Sequence, residues 1–221
     1  MRTRLKVCCI ASIEEARLAV RLGADAIGLV GAMPSGPGPI ADELIREIAV
    51  SAPPAVGTFL LTSRTEPDQV VEHVLGARVN TVQLVDDVPR ETYDALRKHA
   101  PWVRIVQVLH VQDGRVLDEA RAIQDSVDAI LLDSGRPNAA VRELGGTGRT
   151  HDWGVSARLA AESMIPVFLA GGMRPENVSE AVERVRPYGI DLCSGVRVNG
   201  RLDPTRLEAL VAQIARADKR G

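Results

Sequence analysis

The sequence predicts an α/β protein built as a single (β/α)8 TIM barrel, and three observations carry that prediction. Short apolar, β-branched runs alternate with longer amphipathic stretches about eight times along the chain. Strands joined by helical crossovers run parallel, and eight of them close into a barrel. The 221 residues suit one barrel of ~200 to 250 residues, and the first strand lacks the glycine fingerprint that opens a doubly wound sheet. Residues 1–221 are therefore read as one barrel domain.

Taken in order, the strands are expected at 4–10 (RLKVCCI), 26–30 (AIGLV), 55–61 (AVGTFLL), 81–85 (TVQLV), 104–110 (RIVQVLH), 129–133 (AILLD), 166–170 (PVFLA) and 189–194 (GIDLCS). The first crossover, 12–23, begins with Ser12 as N-cap and Glu15 three residues later, a capping box, and stops at Gly23. The same logic places helices at 42–52, 66–78, 89–100, 115–126, 154–163, 175–186 and 203–217. No linker or low-complexity tract interrupts the alternation.

Composition narrows the function. Hydrophobic residues at 45% and charged residues at 25% are those of a globular chain. The net charge of −2 comes with scattered basic residues, so neither nucleic acid nor a membrane is an expected partner, and a small molecule is. The start, MRTRLKVCC, has no apolar run of secretory type, which predicts a cytoplasmic protein. The three cysteines, Cys8, Cys9 and Cys193, fit neither a disulfide framework nor a zinc spacing.

A barrel works at the carboxyl ends of its strands. The polar or reactive residues there are Lys6, Cys8, Gln83, Asp86, His110, Asp133, Asp191 and Ser194. Cys8 shares a strand face with Lys6, whose cation favours a thiolate and suits Cys8 to act as a base; the plain alternative is a small apolar filler of the interior. Cys9 is expected on the opposite face, packed against the helices. Asp133 ends a wholly apolar strand, where desolvation suits a carboxyl to act as a general acid; helix capping is the alternative. The loop-like stretch 134–153 and three glycine loops, 145–148, 170–178 and 194–200, follow. Backbone amides exposed by glycine cradle anions, and loops after strands seven and eight of such barrels bind phosphate, so a phosphorylated substrate is expected.

These residues sit in motifs that resemble the phosphoribosylanthranilate isomerase family: KVCCIA, GADAIGLV, VGTF, VQLVD, LLD, GGTGRTHDW, AGGMRPENV and GIDLCSGVR, in order from Lys6 to about Asp203. The resemblance implies an aldose–ketose isomerase of tryptophan biosynthesis. It would carry out the Amadori rearrangement of an N-substituted ribosylamine 5-phosphate without cofactor or metal. It also implies roles: Asp133 as general acid, Cys8 as general base, and Gly146, Gly148, Gly171, Gly172, Ser194 and Gly195 as phosphate-gripping positions. Asp191 would lie near the substrate hydroxyls, and Lys6 and Gln83 would help hold the substrate.

Three positions depart from the family pattern. MPSGPGPI, with Gly36, has no arginine where the family's SPR motif supplies one; Val85 stands for a histidine, and Arg197 for a glutamate. Arg64, Arg136 or Arg149 could supply the missing cation, and His110 could replace the histidine. The alternatives are a paralogue acting on a different phosphorylated sugar, and a non-catalytic barrel that binds a phosphorylated metabolite. Either a monomer or a homodimer fits the class.

Overall fold

A computed structural model describes residues 2–134 and 152–220. The eight strands are β1 (Arg4–Val7), β2 (Ala26–Val30), β3 (Gly57–Thr62), β4 (Thr81–Leu84), β5 (Arg104–His110), β6 (Ala129–Asp133), β7 (Val167–Leu169) and β8 (Gly189–Leu192). Each pairs in parallel with the next, and β8 returns to β1, so the sheet is a closed barrel with no open edge.

Helices α1 (Ile13–Arg21), α2 (Asp42–Ser51), α3 (Pro67–Ala77), α4 (Arg90–His99), α5 (Val116–Ile123), α6 (Trp153–Glu162), α7 (Val178–Val185) and α8 (Pro204–Asp218) connect or follow them. The caps explain several boundaries. Ser12 Oγ accepts the Glu15 amide at 3.1 Å, while the Glu15 carboxylate accepts the Ala11 amide at 2.8 Å, one residue earlier than a standard capping box. Gly23, at φ 106°, takes the left-handed turn that ends α1. Asp152 and Asp203 cap α6 and α8 through the amides of Gly154 and Arg206.

Strand alternation sorts the apolar residues into two layers. Ile27, Leu29, Leu60, Val82, Leu84, Ile130, Leu132 and Ile190 face the helices and meet Ile45, Ile48, Val70, Leu207 and Leu210. Ala26, Val30, Phe59, Leu61, Val106, Val108, Leu131 and Phe168 fill the interior. Burial of each large aliphatic side chain contributes ~1.5–3 kcal/mol, which makes this double layer the main source of the barrel's stability.

Two departures from the sequence reading occur at the carboxyl ends of the strands. The first strand stops at Val7, three residues before the predicted 10, because Cys9 adopts φ 61° and leaves the extended conformation. After β8, a 3₁₀ turn (Ser194–Val196) leads into a two-stranded hairpin, β9 (Arg197–Val198) and β10 (Arg201–Leu202).

Candidate active site

At the carboxyl ends of the strands lies a small cleft of about 80 Å³, lined by residues including Cys8, Gln83, Asp133, Gly171, Gly172, Asp191 and Ser194. Met33, Leu61, Val85, Val108 and Met173 supply its apolar walls. The strand ends thus gather most of the predicted residues into one place, as the fold demands.

Lys6 lies beneath this cleft and does not line it. Its side chain is fully buried, with Nζ 2.9 Å from Asp191 Oδ2 and 5.2 Å from the centre of the Phe59 ring. Burial opposes the ammonium, but Asp191, then Cys8 and Cys9, hold it protonated above the ordinary lysine value. Among the described residues, neither Asp191 Oδ1 nor Gln83 Oε1, both buried at the cleft, has a hydrogen-bond partner. Two acceptors aimed into a cleft suit hydroxyl or amine donors of a small molecule.

Asp133 is 8% exposed at the end of β6. Burial pushes its carboxyl above the ordinary value, and this outweighs the Ser134 amide, which donates to Oδ1 at 2.7 Å, and the nearby His110. A desolvated carboxyl of this kind can hold and donate a proton where an exposed aspartate could not.

Cys8 continues β1 at the mouth, its amide donating to the Leu192 carbonyl at 2.8 Å. A Cβ built on Gly28 would fall 2.8 Å from Cys8 Sγ and 3.1 Å from Lys6 Nζ, so both side chains project inward over a space that only glycine leaves open.

Cys9 does not face the helices. Alternation ends with β1, and the left-handed backbone turns Cys9 toward the mouth, where Sγ donates to the Pro37 carbonyl at 3.4 Å and lies 2.7 Å from Cys193 Sγ. A positive φ also explains why glycine suits this position and why cysteine carries strain there. The hydrogen bond with Cys193, then that with Cys8, then burial push the Cys9 thiol up, so it keeps its proton.

Gly171 and Gly172 have φ of 85° and 63° and border the cleft after β7. A Cβ on Gly195 would lie 1.9 Å from the Met173 carbonyl oxygen, so the two loops approach as closely as backbones can. With Ser194 at the start of the 3₁₀ turn, they form a shallow cradle fit for an anion. Gly146 and Gly148, with Arg136 and Arg149, lie outside the described residues.

Three further expectations are settled by position. Arg64 donates to Asp42 at 3.2 Å and does not border the cleft. His110 and Asp86 line a neighbouring cavity with Tyr93 and Gln107, and His110 Nε2 meets the Val85 carbonyl at 3.3 Å, so His110 does not stand in the cleft for the missing histidine. Val85, 2% exposed, is part of the cleft's apolar wall.

Arg197 was expected only as a charge reversal, yet it is an anchor. Its guanidinium donates to Glu15 Oε1 at 2.6 Å, to the carbonyls of Cys9 at 2.6 Å and Cys8 at 3.1 Å, and to Gly200 at 3.0 Å. Burial pushes the Glu15 carboxyl up, but Arg197 with the Ala11 and Leu202 amides outweighs it and holds Glu15 below its usual range. The charge therefore faces Glu15 and the backbone of the first loop. Neither this clamp nor the Cys9–Cys193 contact was read from the sequence; both follow once β8 is placed beside β1. Among the described residues, no group of three or more His, Cys, Asp or Glu could hold a metal ion, and no helix is long and apolar enough to cross a membrane.

A closed parallel barrel that gathers a buried acid, a thiol and glycine-rich loops at the carboxyl ends of its strands defines the class: a (β/α)8-barrel enzyme with its site in the strand-end loops. Residues 5–213 match the family model for N-(5'-phosphoribosyl)anthranilate (PRA) isomerase. The chain is similar to N-(5'-phosphoribosyl)anthranilate isomerase of Methanocella arvoryzae, at 36% identity over 93% of this chain and 94% of the relative. It is also similar to that of Haloferax volcanii, at 38% over 95% and 92%. Among solved structures, phosphoribosyl anthranilate isomerase from Thermotoga maritima superposes with a TM-score of 0.81 at 30% identity, covering 96% of this chain and 98% of that one. A phosphoribosyl anthranilate isomerase in complex with reduced 1-(o-carboxyphenylamino)-1-deoxyribulose 5-phosphate gives 0.78 at 28%, over 96% and 98%. The chain belongs to the N-(5'-phosphoribosyl)anthranilate isomerase family.

Proposed function

We propose that this protein isomerises N-(5'-phosphoribosyl)anthranilate to the corresponding aminoketose phosphate in tryptophan biosynthesis, with Asp133 as acid and Cys8 as base. The observation that supports this most is the meeting of Asp133, its carboxyl pushed above the ordinary value by burial, with Cys8 in one cleft that also borders Gly171, Gly172 and Ser194.

The chemistry follows from those groups. The Asp133 proton passes to the ring oxygen of the ribosylamine, the bond from that oxygen to C1 breaks, and the nitrogen lone pair forms the iminium. Cys8 as thiolate takes the proton from C2, and the electron pair flows to the iminium nitrogen to give the neutral enolamine. Its tautomerisation, C1 gaining a proton and the C2 hydroxyl losing one, yields the ketone. The proton on Cys8 then returns through solvent to Asp133, so the reaction is a net isomerisation.

The sugar phosphate is read as sitting on the cradle of Gly171, Gly172, Ser194 and Gly195, and the family resemblance assigns the same role to Gly146 and Gly148. Gln83 Oε1 and Asp191 Oδ1, acceptors without a partner among the described residues, take substrate N–H or O–H groups, and Lys6 serves the substrate indirectly by fixing Asp191. The reading includes one barrel domain over residues 1–221, a cytoplasmic location, and a monomer or homodimer.

The test is conversion of phosphoribosylanthranilate by the purified protein, seen as loss of substrate fluorescence, together with rescue of a tryptophan auxotroph lacking the isomerase. Failure of both, while a sugar phosphate still raises Tm, would refute the assignment in favour of a paralogue on another phosphorylated sugar or a metabolite-binding barrel.

A further inference from the structure

The fold brings together two thiols that the proposed reaction does not use. Cys9 follows β1 and Cys193 follows β8, and barrel closure sets their sulfurs 2.7 Å apart across 184 residues of sequence. Both are free. Closing that gap to a disulfide of ~2.05 Å requires a shift of only about 0.6–0.7 Å.

The two sulfurs are chemically unlike. Cys9 is buried beside the Pro37 carbonyl and retains its proton. Cys193 is partly exposed and borders the open cleft; its hydrogen bond with Cys9, and after it the Arg197 guanidinium, draw its thiol down against the effect of burial. An accessible thiol inclined to ionise, touching a protonated one, is the arrangement of an attacking and a resolving cysteine.

We propose that Cys9 and Cys193 form a redox-active dithiol, in which a hydroperoxide oxidises Cys193 and Cys9 then closes a reversible disulfide that slows the enzyme. The Cys193 thiolate attacks one peroxide oxygen, the O–O bond breaks, and the alcohol or water departs; sulfur is oxidised by two electrons and the peroxide is reduced. Cys9 sulfur then attacks Cys193 Sγ, the S–O bond breaks, and hydroxide leaves as water with the Cys9 proton. The sum is two thiols and a hydroperoxide giving a disulfide, an alcohol or water, and water. A dithiol reductant reverses it by exchange.

The slowing rests on the reading above, in which Cys8 and Ser194 serve the reaction. Each adjoins one member of the pair, so drawing the sulfurs together moves both neighbours, and misplacement near 1 Å costs ~10²-fold in rate.

The experiment treats the reduced full-length protein with one equivalent of hydrogen peroxide, then denatures, alkylates and weighs it. In the wild type the expected product is lighter by about 2 Da before alkylation and carries one alkylated cysteine; the disulfide persists in Cys8→Ser, where no cysteine is left to alkylate, is absent from Cys193→Ser and Cys9→Gly, and is reversed by dithiothreitol. Cys9→Gly is chosen because glycine suits the positive φ, so this variant folds without backbone strain. Turnover of the oxidised wild type falls at least ~10-fold and recovers on reduction. Loss of the product in Cys8→Ser, which would mean a Cys8 disulfide, accumulation of over-oxidised thiol alone, or oxidised protein turning over at the reduced rate would each overturn the proposal. The mass measurement needs no substrate, so a protein inactive on phosphoribosylanthranilate fails the functional reading while the dithiol is still decided.

Discussion

Replacing Arg197 with alanine tests the anchor that joins the last loop to the first. The guanidinium is 9% exposed and its partner Glu15 is 13% exposed. Truncation strips Glu15 of its counterion and releases the Cys8, Cys9 and Gly200 carbonyls. Breaking a buried ion pair by removing one member costs ~3–5 kcal/mol. Glu15 keeps the Ala11 and Leu202 amides at 2.8 and 2.9 Å, which places the expected loss near the lower bound, about 3 kcal/mol. In a chain of this size that is a Tm decrease of roughly 6–12 °C. Urea unfolding followed through Trp153, 8% exposed, reads the loss directly. Combining Arg197→Ala with Glu15→Gln removes the stranded charge, so the two costs should fall short of additivity by ~1–2 kcal/mol.

The pH dependence carries a sign. Glu15 is held below its ordinary 4.5 in the folded state, so the stabilisation is complete above that value and is lost as pH falls through the lowered one. The gap between wild type and Arg197→Ala should therefore be full at neutral pH and shrink in acid. Catalysis should suffer as well, kcat falling ~10- to 100-fold as the backbone of Cys8 is released. A stability loss under about 1 kcal/mol, or additivity with Glu15→Gln within ~0.5 kcal/mol, would refute the clamp.

Asp133→Asn should lower kcat by ~10²–10⁴-fold while a product analogue still binds by calorimetry. Because burial raises the Asp133 carboxyl above 3.8, its ionisation costs stability as pH rises through the folded value; Asn should therefore raise Tm at neutral pH and make no difference below 3.8, and wild-type kcat should decline through the same alkaline limb. Cys8→Ala should abolish turnover with KM little changed for any residual activity; full activity would remove Cys8 from the mechanism. Gly195→Ala, which sets a methyl 1.9 Å from the Met173 carbonyl, should raise KM roughly 10- to 100-fold by displacing a charge-assisted hydrogen bond to phosphate. Gly76→Ala, whose Cβ meets nothing within 4 Å on α3, is the control, with KM unchanged and stability up by ~0.5–1 kcal/mol.

The strands were legible because each is a short β-branched run buried on both faces, and the helices because Ser12, Gly23 and Asp203 mark their ends chemically. Asp133 was legible for the same reason, a carboxyl closing an apolar run. Cys9 was not: it sits at φ 61° with the Pro37–Gly38 loop packed against it, so extrapolating strand alternation two residues too far turned it the wrong way. The hairpin at 197–202 escaped notice because its strands are two residues each, although Asn199 and Gly200, both at positive φ, are the residues a tight hairpin turn requires. Arg197 and Cys193 gained meaning only through partners 182 and 184 positions away, a distance that no local pattern spans.

Those partners all meet at the seam where the last strand lies against the first, as do Lys6 with Asp191 and the Cys8 amide with Leu192. During synthesis the candidate base emerges before the other seven strands, and the strand that completes its surroundings emerges after them. Six or seven folded strands would bury much of the core while the pocket stayed without its Asp191 wall and its loop clamp. Contacts of such long sequence separation are slow to form, so the onset of turnover during refolding should track closure of the barrel and lag behind the growth of helical signal.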